Sequence, residues 1–488
     1  MARARSKAGI ARRAACPGWR AAGLLLAVAS GASVGCGPAA PDRPPDVLIL
    51  TLDTLRADAL SCYGAPPGSS PAIDAFAARA TRFQHAFATA PWTVPSHASL
   101  FTGLLPSEHG ATTREIELPP GADARLYDNA SALPLEATTL AEVLREQGYA
   151  TAGIVANAVY LAPRFQLGQG FDQWTVIEPW TFDAVSPAWG DAVNEHATRW
   201  LTEHLAADPE RPFFLFLNYF DTHRPYDVRP DSALEAFRKL DELHERVMVE
   251  GLEAGELGAE VRGLYARAVK NLDRHVGELF ERLRRMERFE NALIVLTSDH
   301  GEYFGEHGLV EHSKDVYEAA MRIPLIVKSP RQSEGRVEIV AASLADVPGL
   351  VAAHMPRKLA RPLAERFPRR PGSHPVVGQN RFSRPKDVFH PVYGERFRRE
   401  RRVIWDLPWK LILSSDGAHE LYDLEADPAE QRNLFDERAD VADRMRERLE
   451  RAGGSALSGA SEAPLPAPLT AEEAERMRAA GYAGGDDE

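Results

Sequence analysis

The stretch from Asp46 to Asp58, DVLILTLDTLRAD, decides the fold. Residues 47–52 are apolar without a break, which is the pattern of a strand buried on both faces of a sheet. Asp53 follows this run, and open α/β sheets bind their ligands at the carboxyl ends of the strands. The stretch therefore predicts a buried central strand that delivers a carboxylate to a functional site.

Four more apolar runs follow, and segments with helical patterning separate several of them. The runs are TAGIVAN at 151–157, PFFLFLNYF at 212–220, ALIVLTSD at 292–299 and RIPLIVKSP at 322–330. Strands that alternate with helices are typical of a mostly parallel sheet covered by helices on both faces. We therefore expect an α/β fold, with the main domain at 46–352.

The C-terminal part of the chain has a different pattern. Residues 353–386 are rich in Pro and Arg, and we expect them to form an irregular connection. Short strand-like runs separated by Asp-Gly and Asp-Pro turns follow, and then a helical pattern. This predicts a small antiparallel sheet with a helix at 387–452, followed by a linker and a short terminal helix at 453–488.

The first 36 residues are typical of an export signal. A basic beginning precedes a short apolar stretch at 21–34, which is too short to span a bilayer comfortably. Cys36 follows in SVGCG, which resembles a bacterial lipobox with Ser33 where Leu is usual. We expect a lipoprotein of the cell envelope, in the periplasm or at the outer membrane, anchored through lipidated Cys36 with residues 37–45 as a Pro-rich tether. Secretion after cleavage nearby, or an uncleaved anchor, is the alternative.

Charge and cysteine content exclude some classes of protein. The net charge of −13 is spread along the chain, which argues against nucleic acid as a partner because such binding needs clustered basic surface. Cys62 stands alone in the body of the chain, so we expect no disulfide framework.

Side chains that can bind a metal ion or take part in catalysis follow several of the apolar runs. Asp53 follows the first run, Asp299 ends the run at 292–299 and His300 comes directly after it, and His223 follows the run at 212–220. Carboxylate oxygens and an imidazole together can bind a divalent metal ion, and zinc, manganese, magnesium and calcium all remain open. Taken alone, Asp53 would be read as a turn residue and His223 as a buried or surface histidine. The prediction of one metal ion rests on their joint occurrence.

Thr93 lies just before Pro95, which suits the first turn of a helix. The unpaired N–H groups and positive dipole end of such a helix favour an anion. A hydroxyl held there is either an ordinary cap or a nucleophile for a bound phosphate or sulfate. As a fourth metal ligand, Thr93 would lose its proton more readily.

Over nearly all of residues 45–485 the chain resembles the sulfatase branch of the alkaline phosphatase superfamily. The motifs that carry the resemblance are DVLILTLDTLRADALSCYG, TVPSHASLFTGLLPSEHG, FFLFLNYFDTHRPY, VLTSDHGEYFGEHG, YEAAMRIPLIV and HELYDLEADPAEQRNL. The resemblance implies an alkaline phosphatase-like fold, in which helices sandwich a mostly parallel sheet and a small antiparallel sheet forms a C-terminal subdomain. It also implies an anionic ester as the substrate.

The nucleophile position departs from the sulfatase pattern. Sulfatases that resemble this chain carry a Cys or Ser there, which is oxidised to formylglycine, whereas this chain has Thr93 in TVPSH. Threonine cannot yield the aldehyde because its Cβ already bears a methyl group, so we expect no formylglycine. The Arg that ends the family motif is replaced by His97, and the usual Asp-Asp pair is Asp53-Thr54.

A threonine nucleophile resembles instead the phosphodiesterases and the phosphoethanolamine- or phosphoglycerol-transferring relatives. The one-metal set of those transferases corresponds to Asp53, Thr93, Asp299 and His300. Two-zinc relatives need a further Asp, His and His, and Asp221 and His223 have a different spacing from that family's ligands. We therefore expect one metal ion.

The resemblance also suggests which residues contact substrate. His223 would protonate the leaving oxygen as a general acid. His312 and Lys314 lie where the family usually has a substrate-binding cation, and the sequence does not choose between them. His97 is a further candidate for substrate binding, and Arg56 either holds an anionic oxygen or pairs with Asp58.

Three functions remain open at this point. The first is an exported, metal-dependent hydrolase of sulfate or phosphate esters that acts through Thr93. The second is a transferase that moves phosphoethanolamine- or phosphoglycerol-type groups between envelope lipids or glycans, although the sequence lacks the membrane helices of such relatives. The third is a catalytically silent anion-binding protein, which the intact set of candidate metal ligands disfavours.

Overall fold

The computed structural model describes residues 43–177, 189–226, 230–454 and 469–479. The export signal, Cys36 and most of the predicted tether lie outside the described residues. From Arg43 onward the chain forms one compact unit. Within the described ranges, no helix has the length and apolar character that crossing a membrane requires.

The strands and helices, with their bounds, are as follows. The strands are β1 (Val47–Leu52), β2 (Thr81–Phe83), β3 (Ala86–Phe87), β4 (Ala150–Val155), β5 (Gln173–Val176), β6 (Phe213–Tyr219), β7 (Leu293–Thr297), β8 (Tyr303–Phe304), β9 (Val310–Glu311), β10 (Leu325–Lys328), β11 (Arg336–Glu338), β12 (Ala342–Ser343), β13 (Val376–Asn380), β14 (Arg401–Asp406), β15 (Trp409–Ser414) and β16 (Glu420–Asp423). The helices are α1 (Pro71–Ala77), α2 (Thr93–Thr102), α3 (Pro106–His109), α4 (Leu140–Glu146), α5 (Trp189–Ala207), α6 (Pro230–His244), α7 (Gly255–Arg285), α8 (Glu318–Met321), α9 (Val347–Ala353), α10 (Arg357–Arg366), α11 (Pro385–Val388), α12 (Ala439–Leu449) and α13 (Ala471–Ala479).

The large sheet has eight strands in the order β11-β2-β10-β7-β1-β6-β4-β5. β1 lies near its centre and pairs in parallel with both β6 and β7, so that Leu52 lies beside Tyr219 and Thr51 beside Thr297. β10 runs antiparallel to both of its neighbours. All six residues of β1 are buried, as the largely apolar run indicates. The predicted α/β fold with a mostly parallel sheet is confirmed.

Helices cover both faces of this sheet. The Phe216 ring of β6 contacts His97 of α2, whereas the Tyr219 hydroxyl of the same strand donates to Asn194 of α5. Because side chains three positions apart on a strand point to opposite faces, α2 and α5 lie on opposite sides of the sheet. The sheet is therefore sandwiched between helical layers, as expected.

The smaller sheet, β13-β14-β15-β16, is antiparallel throughout. Its apolar face packs with Val441 and Met445 of α12. The prediction that 353–386 is irregular needs correction, since this segment contains α10 and β13. Although proline and arginine are frequent in this segment, Leu363 of α10 is buried. The strand β13 forms because its backbone pairs with β14, a partner that local patterning does not reveal. The small sheet thus begins before the predicted boundary at residue 387.

Ion pairs join the small sheet to the main body. Lys410 of β15 is fully buried and contacts Glu318, at the start of α8, at 3.1 Å and Glu430 at 2.6 Å. Trp405 of β14 donates its indole N–H to the same Glu318 carboxylate at 2.8 Å. Arg401 Nε lies 3.4 Å from Asp315 Oδ1. The small sheet is therefore tied to the segment that leads into β10.

Candidate active site

Asp53, Asp299 and His300 meet at the carboxyl ends of β1 and β7. The two strands are parallel neighbours, so the residues that follow them emerge side by side. One possible ligand atom from each of the three residues lies within 4.8 Å of the other two, and all three side chains are buried. The structure therefore brings together the three residues that the sequence pattern grouped.

In each of these residues, one polar side-chain atom hydrogen-bonds to the protein and another has no hydrogen-bond partner among the described residues. Asp53 Oδ2 accepts from Asn157 at 3.0 Å and from Asn218 at 3.3 Å, and Asp299 Oδ1 accepts from the N–H groups of Thr54 and His300. His300 Nδ1 lies 2.9 Å from the carbonyl oxygen of Gly301, to which it donates. Among the described residues, no group hydrogen-bonds to Asp53 Oδ1, Asp299 Oδ2 or His300 Nε2. Buried atoms of this kind are costly unless a ligand binds them.

The electrostatics of the two carboxyl groups fit a cation. Burial, and then the charge of Asp299, raises the pKa of Asp53 to about 8. Burial likewise raises the pKa of Asp299 to about 7. A divalent ion would stabilise both carboxylates, and two carboxylates with one imidazole form a suitable donor set. The residues present therefore fit a divalent metal ion.

Thr93 is the first residue of α2 and is buried beside this group. Its hydroxyl helps to lower the pKa of the Asp299 carboxyl against the effect of burial. Its Oγ1 lies 3.5 Å from Asn157 Nδ2, the group that also donates to Asp53. The first N–H groups of a helix lack intrahelical partners, so Thr93 lies where an anion can be bound.

Asn157 was not predicted as a site residue, although it connects Asp53 with Thr93. The available signal was its position, because it directly follows the apolar run of β4. The same reasoning that selected Asp53 and Asp299 could have selected it.

His97 has a different position from the one predicted. Its Nδ1 donates to the carbonyl oxygen of Thr93 at 2.9 Å, and its Nε2 accepts from the Thr51 hydroxyl at 3.1 Å. Burial lowers its pKa to about 3, so the ring is neutral. Because both ring nitrogens bond to the protein, we correct the predicted substrate-binding role: His97 holds the first turn of α2 in place beneath Thr93.

The guanidinium group of Arg56 likewise donates its hydrogen bonds to other groups of the protein. It donates to both carboxylate oxygens of Asp58, at 2.9 and 2.7 Å, and to Glu306 at 2.5 Å. It also donates to the carbonyl oxygen of Glu302 at 2.9 Å. Of the two roles that the sequence left open for Arg56, the ion pair with Asp58 is therefore present. We correct the other role, in which Arg56 would bind an anionic oxygen of the substrate.

Thr54, at the position of the second Asp in the family pattern, does not offer its hydroxyl to the site. Thr54 Oγ1 donates to the carbonyl oxygen of Thr222 at 2.6 Å. Its N–H group donates to Asp299 instead. Thr54 therefore orients a candidate ligand through its backbone.

His223 and His312 lie next to His300. The centre of the His312 ring is 4.6 Å from that of His300 and 5.2 Å from that of His223. Burial holds the pKa values of both His223 and His312 well below the ordinary range, so both are neutral in the free site. His312 Nδ1 lies 3.0 Å from Glu302 Oε1, whose other oxygen accepts from the Tyr226 hydroxyl.

Lys314 is fully buried a short distance away. Its Nζ lies 3.2 Å from Glu311 and 3.5 Å from Asp387. Glu311 and Ser313, which flank His312, adopt φ values of 64° and 63°. Such left-handed conformations are uncommon outside glycine and are enriched at functional sites. The structure thus places His312 next to His300, whereas Lys314 contacts Glu311 and Asp387.

Arg384 is a second site residue that the sequence did not reveal. It lies 3.5 Å from Glu311 and 3.5 Å from Asp387, and its positive charge helps to lower the pKa values of His300 and His312 beyond the effect of burial. It comes from the segment that we expected to be irregular, where no sequence pattern singles it out.

The Asp221 carboxylate contacts residues of α7. Its Oδ1 accepts from Asn271 of α7 at 3.2 Å and lies 3.3 Å from His275 of the same helix. The structure therefore does not pair Asp221 with His223 as ligands of a second metal ion.

The chain is similar to known proteins in sequence and in fold. A family model described as Sulfatase matches residues 45–355. The chain is 25% identical to a protein of Escherichia coli described as an uncharacterized sulfatase, YidJ, over 83% of this chain and 86% of the relative. It is also 25% identical to a choline-sulfatase of Rhizobium meliloti, over 80% and 82% of the two chains.

The fold also has relatives among solved structures. The phosphonate monoester hydrolase of Agrobacterium radiobacter superposes with a TM-score of 0.61 and 18% identity, over 87% of this chain and all of the other. At that identity the likeness concerns the fold alone, and it confirms the expected alkaline phosphatase-like architecture.

Proposed function

Since the chain belongs to the sulfatase family, we propose that it hydrolyses sulfate or phosphate esters with Thr93 as a covalent nucleophile. The enzyme class is that of hydrolases acting on ester bonds, and the family generally uses a divalent metal ion. One observation carries the proposal: the buried Thr93 hydroxyl lies 3.5 Å from Asn157 Nδ2, which also donates to Asp53, one of the three residues whose leftover polar atoms fit a cation.

In the proposed first step, the Thr93 hydroxyl gives up its proton to water, Oγ1 attacks the sulfur or phosphorus atom and the bond to the leaving oxygen breaks, which leaves an ester on Thr93. A divalent ion held by Asp53, Asp299 and His300 would supply positive charge that stabilises the reacting group and lowers the pKa of the Thr93 hydroxyl. His97 fixes the turn that carries Thr93, and Asn157 orients the nucleophile relative to Asp53. Water then attacks the same sulfur or phosphorus atom, which releases the anion and restores the hydroxyl.

We assign the proton that the leaving oxygen receives to His223. Its imidazole is neutral in the free site, and the negative charge of a bound ester would raise its pKa toward the range where it can donate. Replacing His223 with Gln should therefore slow alkyl esters, whose leaving groups need a proton, far more than nitrophenyl esters. Equal slowing of both substrates would assign the proton to another group.

The deciding experiment compares wild type, Thr93→Ser and Thr93→Val on an aryl sulfate, an aryl phosphate monoester and an aryl phosphodiester, with divalent metals supplied in turn. Thr93→Val keeps the buried shape and removes only the nucleophile, so kcat should fall by about a thousandfold or more. Thr93→Ser should retain part of the activity. Mass spectrometry of acid-quenched wild type should detect the esterified Thr93. Full activity in Thr93→Val would refute the mechanism, and the substrate preference decides between sulfate and phosphate.

We further propose that the protein is exported and lipidated at Cys36, on the strength of SVGCG after a short apolar stretch. Palmitate labelling in a bacterial host should mark the wild type and not Cys36→Ala. Label in both proteins, or in neither, would leave secretion or an uncleaved signal as the better account.

A further inference from the structure

The large sheet ends on one side in a strand whose outer edge is open. β11 is the first strand in the sheet order and, among the described residues, pairs with β2 alone, in parallel. The Arg336 N–H group donates to the carbonyl oxygen of Ala80. The Glu338 carbonyl oxygen accepts from the N–H group of Gln84. Because backbone groups alternate in direction along a strand, the N–H and C=O groups of Val337 point away from β2.

Apolar side chains are exposed along this edge. The side chains of Val337, Ile339 and Val340 have exposed fractions of 57%, 74% and 39%. Natural sheets usually protect an open edge with lysine, proline or a covering segment, because the edge otherwise pairs with another strand. Residues 331–347 contain neither lysine nor proline. Exposed apolar side chains beside open backbone groups are typical of a surface that binds a further strand.

The charges beside Val337 indicate which strand can bind. Arg336 and Glu338 flank Val337 and point to the other face of the strand. Glu338 accepts from the N–H group of Val340 at 3.1 Å, and neither charged group has an ion pair within the described ranges. When two copies of β11 run antiparallel with Val337 opposite Val337, Arg336 of each copy lies opposite Glu338 of the other. The sequence Arg-Val-Glu is therefore complementary to itself about a twofold axis.

The same register suits the backbone and the apolar side chains. Since the N–H and C=O groups of Val337 point outward, two opposed Val337 residues would exchange both of their hydrogen bonds. Their side chains would lie side by side, with Ile339 of each copy in a diagonal position. A register shifted by two residues in either direction would oppose two Glu338 or two Arg336 side chains, which is unfavourable. Charge therefore selects one register among those that the backbone allows.

We propose that β11 is a dimerisation edge, where a second copy of this chain adds its own β11 in antiparallel orientation with Val337 opposite Val337. The two eight-stranded sheets would then form one sheet that is continuous across the twofold axis. β11 runs in the same direction as β1, because two antiparallel steps separate β7 from β2. The candidate active sites of the two copies would therefore lie at opposite ends of the joined strands. Since the new ladder is short, we expect a weak dimer.

The first test is the oligomeric state of the purified full chain, measured by sedimentation from about 1 to about 100 µM protein. Wild type should be about half dimeric near 10 µM. Val337→Pro removes the outward N–H group at a position where an edge strand tolerates proline, so the Kd should rise at least about tenfold without loss of the fold. A wild type that stays monomeric would overturn the proposal, as would a Val337→Pro variant that dimerises as well as wild type.

Charge exchange tests whether the partner strand is a second copy of β11. Arg336→Glu and Glu338→Arg each place like charges opposite one another, so each should raise the Kd at least about tenfold. The double variant should dimerise within about threefold of wild type, and an equimolar mixture of the two single variants should form a heterodimer. Arg145→Glu, at an exposed position of α4, is the matched control and should leave the Kd unchanged. A double variant that fails to recover would overturn the self-pairing.

A cysteine pair tests the register. The Cα atoms of a hydrogen-bonded antiparallel pair lie about 5.5 Å apart, which a disulfide can span. Oxidised Val337→Cys should therefore form a covalent dimer. Ile339→Cys is the matched control, because residue 339 is more exposed but its two copies would lie at least about 13 Å apart, too far for a disulfide. Equal crosslinking of both variants would overturn the proposed register. Absence of a Val337→Cys crosslink would show that another segment or another protein covers β11.

Discussion

The hydroxyl groups of Thr54 and Thr222 link the chain segments that follow β1 and β6. The Thr54 hydroxyl donates to the carbonyl oxygen of Thr222 at 2.6 Å, and the Thr222 hydroxyl donates to the carbonyl oxygen of Asp53 at 2.6 Å. Thr54 adopts a φ of 56°, which is exceptional for a β-branched residue. The pair therefore holds in place a turn that sets Asp53 on one side and His223 on the other.

Thr222→Val should uncouple this turn while preserving the shape of the side chain. Loss of one buried hydrogen bond should lower the free energy of unfolding by about 1–3 kcal/mol, and misplacement of Asp53 should lower kcat. Thr202→Val, at an exposed hydroxyl that bonds only within α5, serves as the control for both measurements. An unchanged kcat in Thr222→Val would show that the turn is held by other contacts.

The raised carboxyl pKa values predict how pH affects the metal-free protein. A carboxyl with a raised pKa binds its proton more tightly in the folded state, so its stabilising effect is full below the ordinary value of 3.8 and is lost as pH rises through about 7 for Asp299 and about 8 for Asp53. The melting temperature of chelator-treated protein should therefore fall as pH rises from about 6 to about 8.5. Added divalent ion should reverse this fall, with the larger gain at the higher pH.

Asp53→Asn provides the matched variant for that measurement. It should weaken the pH dependence, raise the melting temperature of the chelated protein at alkaline pH and abolish stabilisation by divalent ions, as well as activity. A chelated wild type that gains stability over the same pH range would contradict the assignment of these two carboxyls.

Arg56→Gln should separate structural from substrate-binding roles. Because the guanidinium contacts Asp58, Glu306 and the Glu302 carbonyl oxygen, its loss should cost about 2 kcal/mol of stability. The KM should stay within about twofold of wild type, since no contact with substrate is lost. A large increase in KM, measured at a temperature where the variant is folded, would restore the anion-binding alternative.

Lys410→Met should test the link between the two sheets. Removal of the ammonium group leaves Glu430 and Glu318 without their shared cation, and we expect a loss of about 3–5 kcal/mol in chemical denaturation. Glu430→Gln in addition should recover part of this loss, because burial already raises the pKa of Glu430 to about 7 and the remaining charge is removed. Additive losses in the double variant would mean that the pair is not coupled.

The sequence predicts the parts of this molecule that depend on local patterning. An apolar run buried on both faces identifies β1 and β7, and strand ends identify Asp53, Asp299 and His300, because parallel neighbours bring their carboxyl ends together. The helix start at Thr93 follows from Pro95 in the same way.

What the sequence does not reveal depends on long-range partners. β13 is a strand because β14 pairs with it, and Arg384 belongs to the site because the chain returns from that sheet to Glu311. The roles of His97 and Arg56 were misassigned because motif position says where a residue lies along the chain and not which protein groups occupy its donors.

The contacts of Lys410, Trp405 and Arg401 with the segment before β10 have a consequence for exchange of parts between relatives. A chimera that takes its last hundred residues from another sulfatase would receive one side of this ion-pair network from that relative. The other side, in the segment before β10, would come from this protein. Glu318 and the buried Asp315 would then face side chains that do not match their charge. We therefore expect a functional chimera to need the small sheet and residues 315–318 from the same parent, although the two regions lie far apart in the chain.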